Sequence, residues 1–265
     1  MGYVGIDTDQ FPGLAQLLAV SKAGVSWCGY YLVAPSHQES GWSGQRAAVE
    51  AAGLACVPIY VGQQIVGPGS HRTGPIQGTM DGNDAAAKMQ AEGFRPGQVV
   101  YLDLENGAPF AAPQTDYVAA WCRQVIAGGF RAGVYCSHKI AEAVSIANPG
   151  AIIWAFEVPT LEPSTASPPF AAPDPAGCGF LEACIWQHED TVTISGEGFH
   201  LVVDLDSSII ANPALGSAQP MPLPAAARQG PAPPSPAPRP APAPLAPPAP
   251  DLFIPPPPSP PAAHP

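Results

Sequence analysis

Apolar and β-branched residues recur in short runs along the chain, as "YVGIDT", "SWCGYYLVA", "LACVPIYVG", "QVVYLDLE", "RAGVYCS", "AIIWAFEVP", "EACIWQHE" and "HLVVDLD", eight in all. Their length and composition predict strands. Between the first five lie stretches of helical periodicity, "PGLAQLLAVSKAG", "SGQRAAVEAAG", "GNDAAAKMQAEG" and "PQTDYVAAWCRQVIAGG", each stopping at a glycine. A fifth, "IAEAVSIAN", follows Lys139. Strand-helix alternation of this kind predicts parallel pairing with right-handed crossovers.

The last third departs from the pattern. The link from Pro159 to Gly179 is rich in proline and has no helical period, and "TISGEGF" reads as a turn joining the seventh and eighth strands directly. The fold class expected is therefore α/β, a TIM-like β/α barrel of five βα units plus three less regular strands. An open doubly wound sheet is the alternative, weakened because "DTDQFPG" after the first strand lacks a GxGxxG turn. "GPGSHRTG" is not followed by GK[ST], so Ile65 to Met80 reads as a long surface loop after the third strand, at the barrel mouth.

Composition limits the body of the protein. Of the 37 prolines, 22 fall between Pro213 and Pro265, so residues 1–212 are the segment able to bury a core. Residues 213–265 are expected to be an extended, disordered Pro/Ala-rich tail, a spacer rather than a docking peptide. With 10 basic residues against 21 acidic ones, two of the former (Arg228 and Arg239) in the tail, the body is acidic and has no cluster to meet phosphates. Nucleic acid and anionic membranes are poor partners for such a surface, and no apolar run is long enough for a transmembrane span. "MGYVGIDTDQ" does not read as a signal peptide, because a strand begins at once.

Cys28, Cys56, Cys122 and Cys136 sit in apolar or helical runs and read as buried thiols, while Cys178 and Cys184 in "CGFLEAC" are the pair spaced for a disulfide. No CxxC, HExxH or spaced His cluster occurs, so neither a structural zinc nor another cofactor is expected.

The chemistry lies in "VVYLDLENG". Alternation puts Tyr101, Asp103 and Glu105 on one side of the strand and Val100, Leu102 and Leu104 on the other. Helices need the apolar set, which leaves both acids facing the barrel mouth at the C-terminal end of the strand. The same parity brings Asp7 inward behind Tyr3 and Gly5, and groups Val202, Asp204 and Asp206 on the last strand. Alone, Asp7 is equally well read as a helix cap, and Asp206 as a turn former with Ser207. Two like charges at i and i+2 repel, so one is held protonated; a neutral acid beside an ionised one is equipment for general acid catalysis of glycoside cleavage. A divalent cation held by the same acids is the rival explanation.

Taken in order, "GIDT", "GYYL", "AGLACVPIYVGQ", "DAAAKMQAEGFRPGQVVYLDLE", "AGVYCS", "IWQHED" and "VDLD" resemble the actinobacterial glycoside-hydrolase-like domains of unknown function, relatives of the family 25 muramidases that cut peptidoglycan. The resemblance covers most of residues 3–210 and implies the same barrel layout. It places the acidic cluster on Asp7, Asp103, Glu105 and Asp204. By resemblance Glu105 protonates the leaving sugar oxygen, Asp103 orients an N-acetyl group acting as internal nucleophile, and Asp7 and Asp204 tune both. Tyr60, Gln63, Tyr135, Trp154 and Gln187 near the same strand ends are candidates for holding sugar, each with a core-packing alternative. If the last two strands form a hairpin, Asp206 competes with Asp204 as the inward acid.

Two functions follow. One is an enzyme hydrolysing a β-linked, N-acetylated cell-wall glycan; the other is a catalytically inactive, envelope-associated glycan binder with the same pocket. A metal-dependent hydrolase is a third reading. The partner expected is a carbohydrate polymer, and the setting the cell envelope or the exterior, with a cytoplasmic location the alternative if nothing exports the chain.

Overall fold

The structure, a computed structural model, describes residues 2–35, 41–65, 71–158 and 164–216. Of the tail expected over residues 213–265, residues 213–216 are ordered against the barrel and the rest lie outside the described residues. Strands β1 (Tyr3–Asp7), β2 (Trp27–Leu32), β3 (Ala55–Val61), β4 (Val99–Asp103), β5 (Arg131–Ser137), β6 (Ile152–Phe156), β8 (Ile185–Gly196) and β9 (Phe199–Ser208) form a closed ring, sealed by pairing of β6 with β8. A short β7 (Ser164–Ala166) pairs with β8 beyond the ring, at Val192–Ile194. Helices α1 (Leu14–Lys22), α2 (Arg46–Ala51), α3 (Pro75–Ala91), α4 (Ala112–Ala127) and α5 (His138–Ala147) follow the first five strands. The architecture is thus the closed α/β barrel expected, with all eight expected strands present.

Two cores result from the alternation of side chains. Val100, Leu102 and Leu104 join the outer core under the helices, while Val99 and Tyr101 belong to the inner one with Trp27, Val57, Ile59, Ile152, Trp154 and Ile185. Large rings fill the barrel because glycines face them. A Cβ on Gly5 would stand 2.1 Å from the Trp27 ring, and one on Gly133 would stand 2.4 Å from the Tyr101 ring. The 3-10 turn Pro213–Leu215 closes the N-terminal end: Ala214 is fully buried, and the Tyr101 hydroxyl donates to the Pro213 carbonyl at 3.1 Å.

β9 runs antiparallel to both β1 and β8, so the last two barrel strands do form a hairpin. Ser137 caps α5, accepting from the Lys139 N–H, and the helix starts two residues before the expected "IAEAVSIAN". All six cysteines are free and buried, Cys178 and Cys184 among them.

One expectation needs correction. The loop read from Ile65 to Met80 ends at Gly74; from Pro75 onward the chain is helical, with proline in the first turn where its missing N–H costs nothing. The glycines of "GTMDGN" suggest a loop but have a packing reason. A Cβ on Gly78 would lie 2.2 Å from the Tyr117 carbonyl oxygen, and one on Gly82 would lie 2.7 Å from that of Trp121. α3 and α4 cross at backbone contact, and only glycine permits it. Propensity alone favours Gly78→Ala by ~1 kcal/mol. We expect the clash to outweigh this and the variant to lose about 1–3 kcal/mol in urea unfolding; a gain in stability would show that the helices do not approach so closely.

Candidate functional site

Parity and register bring the acids together at the C-terminal end of the barrel. Asp7 pairs with Asp204 across β1 and β9, and Gly5, one layer deeper, pairs with Asp206. Because β9 descends into the barrel while β1 rises, its two inward acids occupy successive layers. Asp204 is at the rim and Asp206 is fully buried beneath. Asp103 closes β4 beside Tyr135 of β5. Glu105 lies two residues beyond the strand and is exposed.

Trp154 is the floor. Its indole meets Trp27, Tyr101 and Tyr135 edge-on, at 5.3, 5.5 and 5.5 Å, and its Nε1 donates to Asp206 Oδ1 at 3.0 Å. Above it is a small cavity of about 60 Å³ lined by Asp7, Tyr31, Ile59, Asp103, Glu105, Tyr135, Trp154 and Asp204. A larger cavity of about 550 Å³ adjoins it, reaching Phe156, Lys139, Gln187 and Asp190. Glu105, Tyr135 and Asp204 line both, and so form the saddle between them. The small one has room for roughly two waters, and the large one is of small-molecule size.

Burial dominates the electrostatics. It pushes Asp7 up to about 6, partly offset by the Tyr31 hydroxyl, which donates to Asp7 Oδ1 at 2.7 Å. Asp204 is raised to about 9, by burial first and by the Asp7 charge second. Asp103 and Asp206 are held well above the usual carboxylate range, again mainly by burial. The Trp154 and Thr191 N–H groups, which donate to Asp206 and Asp204, oppose these shifts without cancelling them. Asp103 Oδ1 and Asp206 Oδ2 are buried without a protein partner.

The structure separates the remaining expected residues. Tyr135 and Trp154 line the cavities, and Gln187 accepts a short hydrogen bond from the Tyr135 hydroxyl. Asp206 lines neither cavity and lies beneath them, bonded to Trp154 Nε1. Tyr60 points out of the barrel, where its hydroxyl donates to Asp84 at 3.0 Å and its ring packs on Trp121; strand parity opposite to that of Ile59 puts it there. Gln63 is buried under α3, donating to Asp81 at 3.0 Å.

Three residues escape sequence reasoning. Tyr31 was accessible through parity with Trp27 and Gly29. Asp190 reaches the mouth through a bulge in β8, where register shifts between Gln187 and Val192 and where Thr191 adopts a left-handed φ of 55° and donates its N–H to Asp204 at 2.8 Å. Gln64, buried, donates to the Asp103 carbonyl at 3.1 Å and accepts the Glu105 N–H at 3.0 Å. Nothing in "GQQ" distinguishes it from Gln63. Among the described residues no three His, Cys, Asp or Glu side chains are arranged to hold a metal ion, and no helix is long and apolar enough to cross a membrane.

The sequence profile of the Rv2525c-like, glycoside hydrolase-like domain matches residues 18–195. No curated protein sequence matches the chain. Solved structures share the fold. The Tat-secreted protein Rv2525c of Mycobacterium tuberculosis, in complex with L-tartrate, is 17% identical at a TM-score of 0.52, covering 78% of this chain and 96% of that one. The catalytic domain of endolysin ply40, from bacteriophage P40 of Listeria monocytogenes, is 13% identical at a TM-score of 0.51, with coverages of 78% and 93%. The spore cortex lytic enzyme SleM of Clostridium perfringens is 12% identical at a TM-score of 0.54, with coverages of 78% and 67%.

The raised carboxyls set a pH dependence. Folded Asp206 keeps its proton above the range where the unfolded residue, at 3.8, gives it up. The folded state therefore binds more protons there, and stability falls as pH rises from about 4. Asp206→Asn, which keeps the Trp154 bond and cannot ionise, should match wild type near pH 4 and exceed it by roughly 1–3 kcal/mol at pH 7.5. Urea unfolding across that range checks this, and a pH-independent difference would contradict it.

Proposed function

The chain belongs to the family of Rv2525c-like, glycoside hydrolase-like domains, and from that membership we propose that it hydrolyses a β-linked, N-acetylated cell-wall glycan of the peptidoglycan type. The observation that carries this reading is the saddle, where Glu105 and Asp204 stand between a cavity of about 550 Å³ and one of about 60 Å³. The larger space accommodates sugar rings; the smaller suits an acetamido arm and nothing as wide as a ring. Ile59 and Trp154 offer an apolar wall to its methyl, and the unpartnered Asp103 Oδ1 offers an acceptor to its N–H.

A ring seated at the saddle presents its glycosidic oxygen to Glu105. In the step proposed, Glu105 gives that oxygen its proton as the bond to the anomeric carbon breaks. The acetamido carbonyl oxygen closes on that carbon, giving a cyclic oxazolinium whose N–H is held by Asp103. Water then attacks the anomeric carbon, the ring reopens, and Glu105 recovers a proton from the water. Tyr31, fixed on Asp7, and Asp204 bound the same small space. Polymeric substrate fits a site at the cell envelope or outside the cell. The Pro/Ala-rich segment after the barrel then serves as a spacer.

Release of reducing ends from purified peptidoglycan tests the proposal. Glu105→Gln should lower the rate at least about 10²-fold with the fold intact. Wild-type activity should persist in chelator, which separates this route from a metal-dependent one. A wild type that binds the polymer yet releases no ends would leave the envelope-binding reading in its place.

A further inference from the structure

β3 and β4 part company just where the acid pair begins. Their last paired residues are Val61 and Asp103, and the Gly62 N–H still donates to the Asp103 carbonyl at 3.2 Å. Beyond that point β3's chain turns away, with the Gln63 N–H bonded to the Tyr117 hydroxyl at 3.1 Å. On the other side, the Leu104 N–H donates to the Tyr135 carbonyl at 3.0 Å. The outer edge at Glu105 would be unpaired backbone, free to fray.

Two side-chain amides fill the gap reciprocally. From β3's side, Gln64 Nε2 donates to the Asp103 carbonyl and Gln64 Oε1 accepts the Glu105 N–H, at 3.1 and 3.0 Å, imitating the donor and acceptor of a strand residue. From β4's side, Asn106 Oδ1 accepts the Ile65 N–H at 2.6 Å and is also bonded by Gln114 Nε2 at 3.3 Å. Gln64, Asn106 and Gln114 are all buried, so each lost partner leaves an unsatisfied group away from water. His71 Nδ1 lies 2.9 Å from the Gln64 carbonyl and ties the clamp to the chain leading into α3.

We propose that Gln64 and Asn106 are positioning residues that extend the β3–β4 ladder by side chain and thereby aim the Glu105 carboxyl into the saddle between the two cavities. Neither touches the reacting atoms. Glu105's own carboxyl makes no hydrogen bond to the described residues, and what holds the residue in place is its backbone N–H on Gln64. The catalytic consequence rests on the hydrolytic reading above; the geometric claim does not.

The test uses Gln64→Leu, of similar size without hydrogen-bonding atoms, against Val20→Ala, a buried core variant in α1, away from the clamp, that controls for general loss of stability. Amide hydrogen exchange at Glu105 reads the geometry directly. Protection in wild type, lost at least about tenfold in Gln64→Leu and retained in Val20→Ala, supports the clamp; equal exchange in wild type and Gln64→Leu overturns it, whether or not the protein is active. On peptidoglycan, Gln64→Leu should lower kcat roughly 10²-fold while KM stays within about twofold. An unchanged kcat, or a KM effect alone, in an active protein overturns the positioning role. A wild type without activity removes the hydrolytic reading and leaves the exchange result to decide the clamp.

Discussion

The indole of Trp154 lies where an aromatic core becomes an acidic site, and the rest of the mouth depends on that contact. Below and beside it are Trp27, Tyr101 and Tyr135, packed edge-on. Its one N–H goes to Asp206. Carboxyl groups laid directly on such a layer have lost most of their water, so the neutral form is favoured at every buried position. The raised values of Asp7, Asp103, Asp204 and Asp206 share this first cause. Mutual repulsion comes second, because protonation has already removed much of the charge that would repel.

The irregular last third of the barrel gives this site its depth. A β/α barrel made only of parallel strands presents one inward residue per strand at its rim. By returning antiparallel, β9 instead lays Asp204 beside Asp7 and Asp206 beside Gly5. Gly5 has no side chain, and the Trp27 ring takes the space that a Cβ there would fill. Gly29 likewise leaves room for Asp7: a Cβ there would lie 2.6 Å from the Asp7 Cβ. The barrel thus seats Asp7 and Asp206 beside glycines on neighbouring strands.

Much of this was legible from period-two alternation. Parity alone separated Val100, Leu102 and Leu104 from Tyr101, Asp103 and Glu105, and the structure divides them between outer and inner cores accordingly. Parity would equally have excluded Tyr60 and included Tyr31, had it been applied at β2 and β3. Other features had no local signal. The N-terminal half of α3 carries two glycines and a proline, whose propensities argue for a loop, yet backbone contact with α4 decides the matter. The bulge that delivers Asp190 depends on the twist of a two-strand ribbon, and Gln64 differs from Gln63 only in which way a departing strand turns. Such choices are settled by tertiary packing, which a single sequence does not display.

The acids differ in what holds their protons. Asp206 and Asp204 are raised by burial first and by the Asp7 charge second, against the opposing N–H donors of Trp154 and Thr191. Asp103 keeps its proton through burial, with Glu105 and Asp7 adding to the effect. Glu105 is exposed and stands on the saddle. Protons that only neutralise a wall belong on buried groups, where moving them is costly. Depth divides the acids: Glu105 lies past the end of its strand, and the four aspartates lie within theirs.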